Sequence, residues 1–293
     1  KISLLITFFF AISPWHIHLS RGFFEATLSL LFFVLGIYFF LRSSRDIKRM
    51  LISMLFFALS LYSYFTPRIL LLFFLPFLFI YEGLFSAQIH QITSVERKKL
   101  FFKYGISFSL FLILCLPLIQ STFFSGGFSR FQKLSESVNK IVVETVRIER
   151  SSSLLQEPWR NLLHNKLTVQ SRLFTNNYFE HFSTNFWYVY GDNSLRYFLG
   201  NMGMFLIFEL PFFIAGLYWL WKNKRKVALF FLVWLILAPI PASLVGRPFA
   251  VRSLAMLPAP FIFVGYGVYR FYMYATIKKW RFFFPCIIKI GVV

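Results

Sequence analysis

The chain has 293 residues, 58% of them hydrophobic and 22% aromatic, with 43 Phe and a formal net charge of +20. A water-soluble domain of this length cannot bury so much apolar surface, which leaves an integral membrane protein as the class that fits. The surplus of Lys and Arg fits the loops on one side of a polytopic protein better than a nucleic-acid surface, so no nucleic-acid partner is expected.

In chain order, the apolar segments predict an all-α fold, a polytopic transmembrane helix bundle with one long extracytoplasmic loop. Residues 2–12 read as the tail of a span and 23–41 as the first complete one. Residues 50–65 and 68–85 form a hairpin broken at Thr66-Pro67, and 100–119 make the next span. A polar stretch occupies 120–201, after which spans resume at 202–221, 227–245 and 254–277. A last apolar run begins at Phe282. The chain begins and stops inside apolar runs, so a fragment of a longer polytopic protein is expected, in three regions: 1–119, 120–201 and 202–293.

Four basic runs set the orientation: Arg42 to Arg49, Arg97 to Lys103, Lys222 to Lys226 and Lys278 to Arg281. Alternation of the spans puts all four on one side, the cytoplasmic side of a plasma membrane by the positive-inside rule. Residues 13–22, the Thr66-Pro67 turn, the loop 120–201 and residues 246–253 then lie outside. Within the long loop, residues 137–150 carry apolar side chains at helical spacing and read as an amphipathic surface helix. Residues 179–196 mix aromatic and polar groups, as in a segment resting at the interface.

Isolated arginines stand on the outer side, where topology gives them least reason to be. Arg21, Arg68 and Arg252 each sit where a span begins, and together they would form a cationic pocket for a lipid-linked phosphate. Glu25, one turn into its span, is expected to pair with Arg21, because an unpaired charge is costly there. His16 and His18 read as amphipathic interface residues. Trp187, Tyr190 and Asp192 combine an aromatic face with polar groups, the mixture that binds sugars. Cys115 and Cys286 lie in apolar runs and imply no disulfide framework. There is no Walker loop, dinucleotide fingerprint or zinc signature, so no cofactor or metal is assigned.

The run Pro14-Trp-His-Ile-His-Leu-Ser-Arg21, continuing to Glu25, resembles a segment of glycosyltransferase family 39 relatives, which include the protein O-mannosyltransferases and the aminoarabinose lipid A transferases. Tyr64 with Arg68 is similar to their aromatic-plus-arginine turn, residues 179–201 to an outer loop before a late span, and Arg252 with Pro258 to a late Arg…Pro element. The resemblance implies a GT-C-type membrane enzyme. It would transfer a mannose-like hexose or a pentose from a polyprenyl-phosphate donor to a lipid, glycan or protein acceptor. It also implies that Arg21, Arg68 and Arg252 bind the donor phosphate, supported by Ser20, Glu25, His18 and Tyr64, while Trp187, Tyr190 and Asp192 hold sugar or acceptor. The catalytic carboxylate of such enzymes lies in an earlier outer loop, so the base is expected N-terminal to Lys1. A flippase or transporter of lipid-linked sugars, or a non-catalytic scaffold, are the alternatives. A transporter would be expected to carry ionisable residues at mid-membrane or paired broken helices.

Overall fold

The computed structural model describes residues 2–277 except 23, 44–45, 86–93, 125–127, 193, 195, 198–199 and 201; within 84–100 and 122–137, and at residue 277, side chains are not described. The basic run from Lys278, the apolar run from Phe282, Arg45 and the side chains of Arg97, Lys98 and Lys99 therefore lie outside the described parts.

The fold is an all-α helical bundle, with no strand among the described residues. Its helices are α1 (Ile2–Ile12), α2 (Pro14–Arg21), α3 (Glu25–Leu41), α4 (Ile47–Ser63), α5 (Thr66–Phe85), α6 (Ser94–Phe124), α7 (Phe128–Ser152), α8 (Trp159–Leu163), α9 (Lys166–Glu180), α10 (Glu209–Asn223), α11 (Arg225–Leu237), α12 (Ile240–Ser243) and α13 (Pro258–Ile277). Among the described residues, four stretches are long and apolar enough to cross a membrane: Thr66–Gly83, Phe101–Ser121, Arg225–Ser243 and Leu254–Thr276. The pair α1–α2 makes a fifth if its 61° bend is the break of one span.

Three expected spans come out short. Helices α3 and α4 have 17 residues each and α10 has 15, which at 1.5 Å per residue gives about 22–26 Å against a hydrocarbon core of about 30 Å. Local causes are visible. Asp46 caps α4, accepting from the Lys48 amide at 2.9 Å, and Tyr64 ends it in extended backbone. The span expected over 202–221 becomes helical only at Glu209, because residues 204–205 pair with other backbone: the Phe205 amide donates to the Trp187 carbonyl at 2.7 Å. A helix that the sequence reading did not foresee, α2, begins at Pro14, which starts it as well as ending α1.

The helices are joined at unusually close range. In α3 and α4, Ser29 and Ser60 exchange hydroxyl–carbonyl hydrogen bonds at 2.9 and 3.0 Å, and the Ser53 hydroxyl donates to the Gly36 carbonyl at 2.7 Å. Between α10 and α13, Gly216 lies against the Phe263 carbonyl and Gly267 against that of Phe212, so that a Cβ at either would collide with backbone. Small residues and hydroxyl stitches of this kind hold helices together where lipid offers no hydrophobic drive. Gly265 extends the contact from α13 to Ile6 of α1.

The bundle has two distinct ends. At one, Lys103 at the start of the apolar part of α6 donates to the Ser43 carbonyl after α3 at 3.2 Å, and Tyr81 of α5 donates to the Lys226 carbonyl in α11 at 3.3 Å. The described members of the basic runs thus gather there. At the other end lie α2, the Thr66-Pro67 turn, α12, residues 246–253 and the segment that follows α9.

Candidate functional site

The loop end is organised around the main chain of one residue, Ala250. Its carbonyl accepts the Trp15 indole N–H at 3.0 Å, and its amide donates to Asp192 Oδ2 at 2.7 Å. The other carboxylate oxygen of Asp192 accepts the Ser194 amide at 2.8 Å. Three segments far apart in sequence are so clamped together: α2, the 190s loop and residues 246–253. Gly191 makes the inward turn of Asp192 possible. Its φ of +68° is left-handed, and a Cβ there would come within 2.8 Å of the Met202 carbonyl. Burial pushes the Asp192 carboxyl above its ordinary pKa, against the opposing pull of the two amides, Arg252 and His18.

Around the clamp stands an aromatic wall. Phe24 packs on Tyr197 with ring centroids 5.2 Å apart, and Tyr197 on Phe249 at 4.9 Å. The Arg196 guanidinium lies over Phe24 and Tyr197 at 5.4 and 5.7 Å, and that of Arg252 over Phe249 at 4.6 Å. Cation–π contact holds both cations on the wall without neutralising them.

Two cavities flank this wall. The larger, about 690 Å3, is lined by Arg21, Arg196 and His18 together with apolar side chains from Ile12 to Leu206. The smaller, about 20 Å3, has room for one water and is lined by Arg252, Tyr64, Thr66 and Ser29 among others. Tyr64 lies within electrostatic range of Arg252, Tyr197 and Glu25.

The three expected phosphate-binding arginines do not share a cavity. Arg21 lines the larger and Arg252 the smaller, whereas Arg68 lines neither. Its Nε donates to the Leu61 carbonyl at 3.2 Å and its guanidinium covers Phe65 at 5.4 Å, so it closes its own helical hairpin. Arg21 also ends α2 rather than opening a helix, and no ion pair joins it to Glu25. Their i, i+4 spacing is interrupted by Gly22 and by extended backbone at Phe24, and both side chains are exposed. Ser20 donates within its own helix, to the Ile17 carbonyl at 3.1 Å. His18 approaches the Arg196 carbonyl at 3.4 Å and does reach the larger cavity.

The expected sugar platform divides as well. Trp187 is buried, donating to the His181 carbonyl at 2.6 Å and packed on Phe205 and Phe213. Asp192 is buried with both oxygens occupied, which makes it a structural tie and not an open sugar ligand. Only Tyr190, 53% exposed, offers a free aromatic face.

Arg196 is the residue that sequence reasoning missed. The signal was present: an isolated arginine between the Gly191-Asp192 turn and Tyr197. It lies inside a loop and not at a helix start, the position at which an arginine stands out in a sequence. Among the described residues no group of three or more His, Cys, Asp or Glu side chains could hold a metal ion. No family model matches the chain, and no curated protein or solved structure matches it significantly.

Proposed function

We propose that this chain belongs to a membrane glycosyltransferase of the GT-C type and that its larger cavity receives the phosphate of a polyprenyl-phosphate sugar donor. The observation that carries the reading is the composition of that cavity: two permanent cations, Arg21 and Arg196, set among apolar side chains at one end of a helical bundle. A lipid phosphate needs this combination, charge at the head and apolar surface for the chain behind it. In this reading the basic end faces the cytoplasm of a cell whose plasma membrane holds the bundle, and the loop end faces outward. Displacement at the anomeric carbon by an acceptor hydroxyl breaks the bond to the phosphate oxygen, and negative charge grows on the leaving polyprenyl phosphate. Arg21 and Arg196 would stabilise that charge, while Tyr190 is the residue free to touch sugar or acceptor. The base that takes the acceptor proton is assigned to no residue of this chain.

The second reading, a flippase or transporter of the same class of lipid, draws support from one feature, the 61° break between α1 and α2. One experiment separates the two. The intact protein in nanodiscs is given a radiolabelled polyprenyl-phosphate sugar and a mixture of acceptor lipids, and in proteoliposomes the same donor is followed across the bilayer. Transfer that is lost in Arg21→Ala and Arg196→Ala, with insertion intact, supports the enzyme. Translocation without transfer supports the transporter. Unchanged donor binding in both variants refutes the cavity assignment common to both.

A further inference from the structure

The helical unit that follows α6 carries an apolar surface that neither cavity uses. Trp159, Leu162 and Leu163 of α8 are 62%, 60% and 49% exposed, and Leu167 at the start of α9 is 75% exposed. Arg160 and Lys166 stand among them. The segment that carries these side chains is held in place. The Arg150 Nε donates to the His164 carbonyl at 2.7 Å, and Glu149 pairs with both His164 and Arg172. The loop bearing α8 is thereby fixed against the ends of α7 and α9.

Helix α9 has two apolar stripes. Val169 and Leu173 face α7, packed on Val142 and Val146. Leu167, Phe174 and Tyr178 follow each other at i, i+7 and i+11, which puts them on a different face. At the end of this second stripe the Tyr178 hydroxyl donates to the Ile236 carbonyl at 2.8 Å. Ile236 belongs to a membrane-spanning stretch and is 51% exposed on its flank. The second stripe is therefore continuous with the lipid-facing surface of the bundle.

We infer that α8 and the second stripe of α9 form an interfacial docking surface whose occupant is the bilayer itself. Trp159 and the leucines enter the headgroup boundary and Lys166 meets lipid phosphate, while Arg160 is held by Glu157 at 2.7 Å, the division of labour of monotopic helices that sink about 5–10 Å into an interface. Continuity with a lipid-facing span selects lipid over a protein partner. The inference does not depend on the glycosyltransferase reading.

The test uses the full chain with Cys115 and Cys286 replaced by Ala, in nanodiscs of phosphatidylcholine and phosphatidylglycerol. Single cysteines at Leu162, Leu167 and Asn176 carry a nitroxide. Asn176 is exposed and lies on the face of α9 opposite Leu167 and Tyr178, and all three are surface positions where a label disturbs packing least. The expected result is several-fold greater oxygen collision at 162 and 167 than at 176, with a water-soluble nickel chelate showing the reverse. Free access of the chelate to all three sites overturns the inference. So does a label at 162 or 167 that is shielded from both reagents, since that describes a protein partner.

Discussion

Asp192→Ala probes the clamp at Ala250 directly. The substitution removes the acceptor of two backbone amides, Ser194 and Ala250, at 2.8 and 2.7 Å. Hydrogen bonds to a charged acceptor contribute about 1.5–3 kcal/mol each, and a buried donor left unpaired carries its full desolvation cost. The Ala250 amide is buried and bears that cost; the Ser194 amide, in a half-buried residue, recovers part of it from water. The expected loss is therefore about 3–4 kcal/mol, on the order of a 10 °C fall in Tm for a chain of this size. Asn at 192 keeps one acceptor oxygen and should lose roughly half as much. Intrinsic-fluorescence melting of purified protein in one detergent reads both values. Trp15→Phe removes the hydrogen bond to the Ala250 carbonyl, and Asp192→Ala combined with it should cost less than the sum of the single changes, since both bonds hold the main chain of the same residue and losing one loosens the other. An Asp192→Ala variant whose Tm stays within 2 °C of the parent would refute the clamp, as would strict additivity with Trp15→Phe.

Other expectations follow from single contacts. His181 is fully buried, its Nδ1 donating to the Asn177 carbonyl at 2.7 Å, and burial lowers its pKa from 6.5 to about 4. Between those values the unfolded chain binds the proton and the native chain does not, so stability is full above pH 6.5 and falls as pH drops toward 4, by about 3 kcal/mol in all. In His181→Phe that slope should flatten in melts taken across the window; an unchanged slope rejects the assignment. Gly216→Ala drives a methyl into the Phe263 backbone and should cost about 2–3 kcal/mol, whereas Gly105→Ala, with open space around it, should be neutral or stabilising. Equal melting of the two would contradict the α10–α13 contact. Ser29→Ala with Ser60→Ala should lower stability by about 1 kcal/mol, and a Tm rise in the double variant would show that the stitch is not formed.

Sequence reasoning did well where a rule is local. The helical class follows from apolar runs, and the bundle's basic end from short Lys/Arg clusters whose members Lys103 and Lys226 do meet α3 and α5. It failed where a partner is chosen by tertiary packing. Nothing near Asp192 indicates that its second oxygen will meet an amide 58 residues away, or that Trp15 will reach the carbonyl of the same residue across 235. Arg68 stands at the expected end of the bundle, but whether it faces the cavity or its own hairpin depends on the Leu61 carbonyl and the Phe65 ring, which periodicity does not rank. The amphipathic helix over 137–150 forms as expected inside α7. Its stripe divides, however: Val138 and Val142 turn to α9, while Ile141 and Ile148 stay exposed. In α2 the misreading was of a rule that was available, since proline at the first helical position is a start signal too.

The backbone contact of Gly216 and Gly267 has a mechanical meaning. Where two helices touch through side chains, rotamer changes let them slide or roll; where they touch through main chain, that compliance is gone. Helices α10 and α13, with α1 against Gly265, then behave as one stiff plate, and α3 with α4, pinned at Ser29, Ser53 and Ser60, as another. The 20 Å3 cavity, bounded by α3 on one side and the turn leading into α13 on the other, lies on the seam between them. Any widening of this small cavity to admit something larger than water must come from the plates parting along that seam, and not from bending of either plate.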